Sequence, residues 1–160
     1  MVMGFALLAV LRVDPGCSAE LFRIERSKNA NVVLYEAKTH EKGSLDTSEP
    51  IVASWLMLAA KGQREALTFF ERRFAYGFES SPSPKGGFEL KLQALKSRAI
   101  QVIEREGCAV ALSSINGQEA LLKRIYVRAD DSTVVPSVQY VELFGVDAIS
   151  GAARYEKLQP

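Results

Sequence analysis

The chain has 160 residues, 48% of them hydrophobic, 24% charged and 9% aromatic, with 11 Gly and 6 Pro. That composition excludes disordered, collagenous and coiled-coil classes and leaves one ordinary globular domain, large enough to fold without metal or disulfide staples. Twenty Lys+Arg against 19 Asp+Glu give a net charge of +1, which supplies no long-range field to gather nucleic acid or an acidic membrane.

Residues 1–19 read MVMGFALLAVLRVDPGCSA, apolar from Val2 to Leu11 apart from Gly4, then broken by Pro15-Gly16 before Cys17-Ser18-Ala19. This order resembles an export signal cut after Ala19, which would leave residues 20–160 as a single mature domain in the periplasm or at the cell surface. No Lys or Arg precedes the apolar run, and Arg12 and Asp14 make its end polar, so a retained segment in a cytoplasmic protein is the alternative. Asp14-Pro15-Gly16 also lacks the apolar residue a lipobox carries upstream of its cysteine. Beyond residue 19 no run of 18 apolar residues occurs, so no membrane-spanning segment is expected there. With the leader cut, Cys108 stands alone; with it retained, a bridge to Cys17 is conceivable but not readable from spacing. Because Cys108 opens the apolar run Cys108-Ala-Val-Ala-Leu112, it reads as a buried structural thiol.

From residue 20 the dominant period is 2, which places alternate side chains on opposite faces of a strand. The clearest case is Phe88-Glu-Leu-Lys-Leu-Gln-Ala94, with Phe88, Leu90, Leu92 and Ala94 inward and Glu89, Lys91 and Gln93 outward. Similar segments lie at 20–27, 31–39, 51–59, 98–105, 108–114, 119–129, 138–144 and 152–158, which makes about nine strands. Short connectors rich in Gly, Asn, Asp, Ser and Pro join them and imply antiparallel neighbours. Asn116-Gly117 is the sharpest turn signal, since a type I′ turn needs positive φ at both central residues. Residues 40–50 and 79–87 read as surface loops. Over 63–76 the period changes: Ala66, Phe70 and Phe74 recur every fourth position, which predicts one amphipathic α-helix with that stripe on the core. The expected fold is mainly β, an antiparallel meander closed as a calycin-like barrel, with a two-sheet β-sandwich as the alternative.

The phrase Phe22-Arg-Ile-Glu-Arg-Ser-Lys-Asn-Ala-Asn-Val-Val-Leu-Tyr-Glu-Ala37, then Pro50 to Trp55, Arg72-Arg-Phe-Ala-Tyr-Gly77 and Tyr140-Val-Glu-Leu-Phe-Gly145, carries a resemblance. Over about residues 20–160 the chain is similar to a family of small, often exported bacterial proteins known only as a domain of unknown function. The resemblance implies a bacterial origin and export, and it brings no activity to carry over.

Two polar groups are candidate ligand sites. Arg26, Lys28, Asn29 and Asn31 place a guanidinium, an ammonium and two carboxamides within six residues, a set suited to a carboxylate, phosphate or sugar. The blander reading is that Asn29 and Asn31 shape the turn through nearby backbone. Trp55, Arg73 and Tyr76, with Arg72, form the second group, whose blander role is to cap the helix end and complement its dipole. Catalytic templates are missing. His40 is the one histidine and sits in a polar turn, and no nucleotide, redox, zinc or hydrolase motif occurs. Glu104 and Glu106 share a strand face but read as an exposed strand end. The expectation is therefore an exported, non-catalytic module binding a small molecule or an envelope protein, without metal or cofactor and without nucleic acid. The rival is an enzyme of unrecognised type, which requires Arg26, Lys28, Tyr76 and a carboxylate to converge in a cleft.

Overall fold

The computed structural model describes residues 16–40 and 43–160. The apolar run Val2–Leu11, on which the export expectation rests, lies outside the described residues. In chain order the elements are β1 (Glu20–Arg26), β2 (Val32–Ala37), β3 (Ile51–Met57), β4 (Gln63–Ala66), α1 (Phe69–Phe74), β5 (Phe78–Pro82), β6 (Phe88–Leu92), β7 (Leu95–Arg105), β8 (Cys108–Ile115), β9 (Gln118–Asp130), β10 (Ser137–Asp147) and β11 (Ala153–Leu158). Among the described residues the fold is mainly β, as the alternation predicts, with one α-helix.

β9 organises the sheet. Its 13 residues make it longer than any neighbour, and β10 pairs with it antiparallel from Asp130 back to Ala120, filling one edge. The other edge is shared: β8 pairs antiparallel with Gln118–Leu121, and β1 pairs parallel with Arg124–Val127. The buried set on β9 is Ala120, Leu122, Ile125, Val127 and Ala129. Its period slips by one residue between Leu122 and Ile125, where the neighbour changes from β8 to β1. Opposite the slip, β10 carries a register shift at Phe144/Gly145. A Cβ on Gly145 would stand 2.4 Å from the Leu121 carbonyl oxygen and 2.8 Å from Ile115 Cδ1, so only glycine lets β10 pass there.

Two arms diverge from the shared edge, β1-β2-β3-β4 and β8-β7-β6-β5. The expected closed barrel is not formed: the sheet is open and curled, with β4 and β5 ending separate arms. Closure fails because β9 spends one edge on two strands, so the sheet branches instead of returning on itself. The β1/β9 pair is also parallel, against the all-antiparallel meander expected from short turns. One core fills the space between the arms. Phe22 on β1 stacks on Tyr35 on β2 with centroids 4.6 Å apart, and Tyr35 meets Phe78 on β5 edge-on at 6.0 Å. The Tyr35 hydroxyl donates to the Tyr76 carbonyl at 2.7 Å, which satisfies the phenol where burial pushes its pKa well above the ordinary value.

The helix expected over 63–76 is shorter and differently oriented. Gln63–Ala66 is instead a strand, paired with β3 through Ser54↔Ala66 to Met57↔Gln63. The hairpin that returns it uses Lys61 at φ 60° and Gly62 at φ 77°. α1 begins only after Thr68, and its Phe70 and Phe74 face solvent, not the core. Glu79–Pro82, expected within the loop at 79–87, belongs to β5, a strand on an arm's end, where β6 alone pairs with it and a terminal proline breaks no ladder. Leu90 and Leu92 are almost fully buried, as the Phe88–Ala94 alternation predicts. Asn116 at φ 52° and Gly117 at φ 79° make the expected tight turn.

Cys108 is not a free thiol. It is bonded to Cys17 across 91 residues of sequence, with Cα atoms 5.3 Å apart. The segment before β1 lies against the β7–β8 turn, and Ala19 adds to the ladder by accepting from the Ala37 N–H at 2.8 Å. Among the described residues no helix is long and apolar enough to cross a membrane.

Candidate functional site

The site is assembled where β1 and β9 end together. Ser27 follows β1 and is buried: its N–H donates to the Val127 carbonyl at 2.9 Å, and its hydroxyl accepts from the Ala129 N–H at 3.1 Å. These bonds fix Arg26 beside the end of β9, where its guanidinium forms an ion pair with Asp131.

The opposite wall comes from α1. Thr68 caps the helix with a reciprocal pair: the Glu71 N–H donates to Thr68 Oγ1 at 3.3 Å and the Thr68 N–H to Glu71 Oε2 at 2.7 Å. Partial burial works to raise the Glu71 carboxyl, but hydrogen bonds from Thr68 and Trp55 outweigh it and hold it below its usual range. The helix is closed by the Tyr76 N–H donating to the Glu71 carbonyl at 2.7 Å. A Cβ on Gly77 would stand 1.5 Å from the Arg72 carbonyl oxygen, so the chain can fold this tightly beneath the helix only at glycine. The turn drops the Tyr76 ring inward, where Trp55 meets it edge-on at 5.1 Å.

Between these walls lies a cavity of about 320 Å³, at the small end of the roughly 300–1,000 Å³ range of ligand clefts. Its floor is Ile24, Val127 and Ala129, its sides Ala75, Tyr76, Gln93 and Ala94, and its rim Arg26, Phe74, Val135 and Val138. The surface is mainly apolar, with Gln93, Ser137 and the Tyr76 hydroxyl as its neutral polar groups and one cation at the edge. Burial raises the Tyr76 hydroxyl, against the opposing pull of the adjacent Arg26 charge, so the phenol stays protonated at neutral pH. A guanidinium has five N–H donors, and its ion pair with exposed Asp131 leaves several for a ligand.

Of the residues singled out from sequence, Arg26 and Tyr76 meet here, and Trp55 packs behind Tyr76. The others do not line the cavity. Lys28 stands exposed at φ 60°, and its charge helps lower Asp130, whose main support is the Ser132 backbone N–H. Asn29 Oδ1 accepts from the Asn31 N–H at 2.9 Å, and Asn31 Oδ1 accepts from the Ala59 N–H at 3.1 Å. Both carboxamides therefore hold backbone: Asn29 shapes its own turn and Asn31 ties it to the β3–β4 turn. Arg73 lies over the Phe74 ring, 5.9 Å from its centroid, outside the cavity lining. Glu104 accepts from the Leu45 N–H at 2.8 Å and pins the loop before β3, while Glu106 occupies a turn at φ 53°.

A family model described as a domain of unknown function (DUF4833) matches residues 22–157. The chain belongs to that family. The match spans every cavity residue of this DUF4833 domain and Cys108, and it stops short of Cys17. No curated protein and no solved structure matches the chain.

Other parts of the DUF4833 domain are less suited to a ligand. The outer face of β9, β10 and β11 carries aromatic rings, but Arg124 covers Phe144 at 3.9 Å and Lys157 covers Tyr140 at 3.7 Å. Those ring faces are already occupied by the chain's own cations. The hollow beside the disulfide is bounded by Gly16, the first described residue. Sequence reading missed Phe74, Gln93, Val135 and Val138. Of these Val135 had a visible signal, because Val134-Val135 is an apolar pair inside a stretch of Asp, Ser, Thr and Pro.

Proposed function

We propose that this domain is an exported, non-catalytic binding module that holds a small amphiphile, with an acidic head on Arg26 and an apolar body against Ile24, Val127, Ala129 and Tyr76. The observation that carries the reading is one guanidinium on the rim of a mainly apolar cavity. An anion bound there gains charge-assisted hydrogen bonds, while the apolar part gains about 25 cal/mol for each Å² removed from water. Binding is favoured over catalysis because the ionisable groups at hand are already engaged. Tyr76 is held protonated, Glu71 is committed to its cap, and Asp131 is paired with Arg26.

Export is supported by the Cys17–Cys108 bond, since such bonds persist in oxidising compartments. A cut after Ala19 would remove Cys17, so a processing site compatible with the bond falls upstream of it. N-terminal sequencing of the native protein reads this directly, and a start at Glu20 would contradict it. For the ligand, isothermal titration with decyl phosphate, decanol and decyltrimethylammonium below their micelle concentrations separates head from tail. The reading expects saturable binding of the phosphate, tenfold or more above the other two, and equal binding of all three would end it.

A further inference from the structure

We propose that the end of the sheet carrying α1 docks on an anionic lipid surface, with Phe69, Phe70 and Phe74 placed in the boundary between headgroups and acyl chains. This inference stands on surface features and is independent of what the Arg26 cavity holds. Phe69, Phe70 and Phe74 are 71%, 70% and 69% exposed, against the general tendency of phenylalanine to be buried. They form one continuous stripe, with Phe69 and Phe70 centroids 5.7 Å apart and Phe70 and Phe74 6.2 Å apart. The helix buries none of its own residues, so the stripe is not the accidental outer half of a core element.

The stripe has company at the same end. Phe74 and Val135 share the cavity rim, which brings the β9–β10 loop beside α1, and Val134 and Val135 in that loop are 102% and 77% exposed. Leu58 in the β3–β4 turn, 52% exposed, belongs to this end as well, because Asn31 ties its turn to the turn after β1. The helix and two separate turns thus present apolar side chains around one mouth.

Charge points the same way. Lys28, Lys61, Arg72 and Arg73 are exposed at this end; Asp131 is engaged by Arg26, Asp130 is offset by Lys28 and Arg128, and Glu71 is bonded into its cap beside Arg72, which leaves Lys61 and Arg73 as the local excess. The whole chain, at net +1, has no distant pull on a membrane; the local excess acts within about a Debye length, once the surface is close. Apolar prongs flanked by Lys and Arg match the headgroup–acyl boundary, where rings sit below the phosphates and cations among them. A second copy of the chain fits less well. The three rings offer on the order of 400 Å², about half of the roughly 800 Å² per partner that a stable dimer buries. The apolar residues are also spread over separate turns, which a fluid bilayer accepts and a rigid partner does not.

The test is co-sedimentation of the disulfide-intact chain with vesicles of phosphatidylcholine alone and of phosphatidylcholine with 30% phosphatidylglycerol. The proposal expects partition onto the phosphatidylglycerol vesicles, at least tenfold weaker in Phe70→Ser/Phe74→Ser and about fivefold weaker for each of Lys61→Gln and Arg73→Gln. Ile149→Ser serves as control, because Ile149 is 96% exposed at the opposite end, in the β10–β11 turn, and should leave partition unchanged. Circular dichroism establishes that each variant is folded. The proposal is overturned if the folded wild type stays in the supernatant with anionic vesicles, or if Ile149→Ser weakens partition as much as the Phe pair does. It is equally overturned if light scattering shows a dimer that Phe70→Ser/Phe74→Ser dissociates, since a second copy would then cover the stripe.

Discussion

Reducing the bond between Cys17 and Cys108 should destabilise the domain as much as the severest single core truncations. The bond closes 91 residues, well over half of the chain, and in the chain-entropy account its effect lies mainly in the unfolded state. For a loop of that size the unfolded ensemble loses about 15 cal/mol/K, or about 4.6 kcal/mol at 25 °C. Spread over the unfolding entropy of a domain in this size range, that corresponds to a fall in Tm on the order of 10–15 °C. The assay is urea unfolding followed by Trp55 fluorescence, with and without dithiothreitol, alongside Cys108→Ser. Reduced protein should have a lower midpoint and a larger m value, because the uncrosslinked unfolded chain exposes more surface. A stability change below about 1 kcal/mol, or two titratable thiols in the native protein before reduction, would refute the reasoning.

Two further outcomes follow from geometry already described. Gly77→Ala should cost about 3 kcal/mol or more, because its Cβ would overlap the Arg72 carbonyl of α1; denaturant titration checks this, and a loss under 1 kcal/mol would contradict the tight turn. Glu156 on β11 joins Arg98 on β7 at 2.9 Å and accepts from the Asn116 N–H at 2.6 Å. Its carboxyl is held below the usual value chiefly by the Arg98 hydrogen bond, against partial burial. A depressed carboxylate stabilises the fold fully above its unfolded value, near 4.5, and that contribution disappears as pH falls through the lower folded value. Glu156→Gln should therefore be about 1–2 kcal/mol less stable at pH 7, with the difference closing below pH 4; a difference that is constant from pH 7 to pH 3 is the contrary result.

What could be read from sequence was local. Alternation over Phe88–Ala94 located a strand and its buried side, since a strand's own pleat determines both. The same kind of reasoning misled over 63–76. Phenylalanines four residues apart mark one face of a helix without saying whether that face meets a core or another medium, and Gln63–Ala66 became a strand through its pairing with Ser54–Met57. Branching at β9 was out of reach because it depends on a parallel partner about a hundred residues away. Arg26 and Tyr76 were recognised in separate groups, yet their meeting depends on Ser27 bonding to Val127 and Ala129 and on the close fold at Gly77. Cys17 and Cys108 were likewise visible, while their pairing rests on the segment before β1 running beside the β7–β8 turn.

The most direct measurement is amide and methyl chemical-shift mapping of the isotope-labelled domain titrated with decyl phosphate. Saturable shifts at Ile24, Ala75, Gln93, Val127 and Ser137, abolished together in Arg26→Gln while the rest of the spectrum is preserved, are the predicted result. Shifts scattered over the outer face of β9–β11, or a response that Arg26→Gln leaves intact, would contradict a ligand seated in the Arg26–Tyr76 cavity.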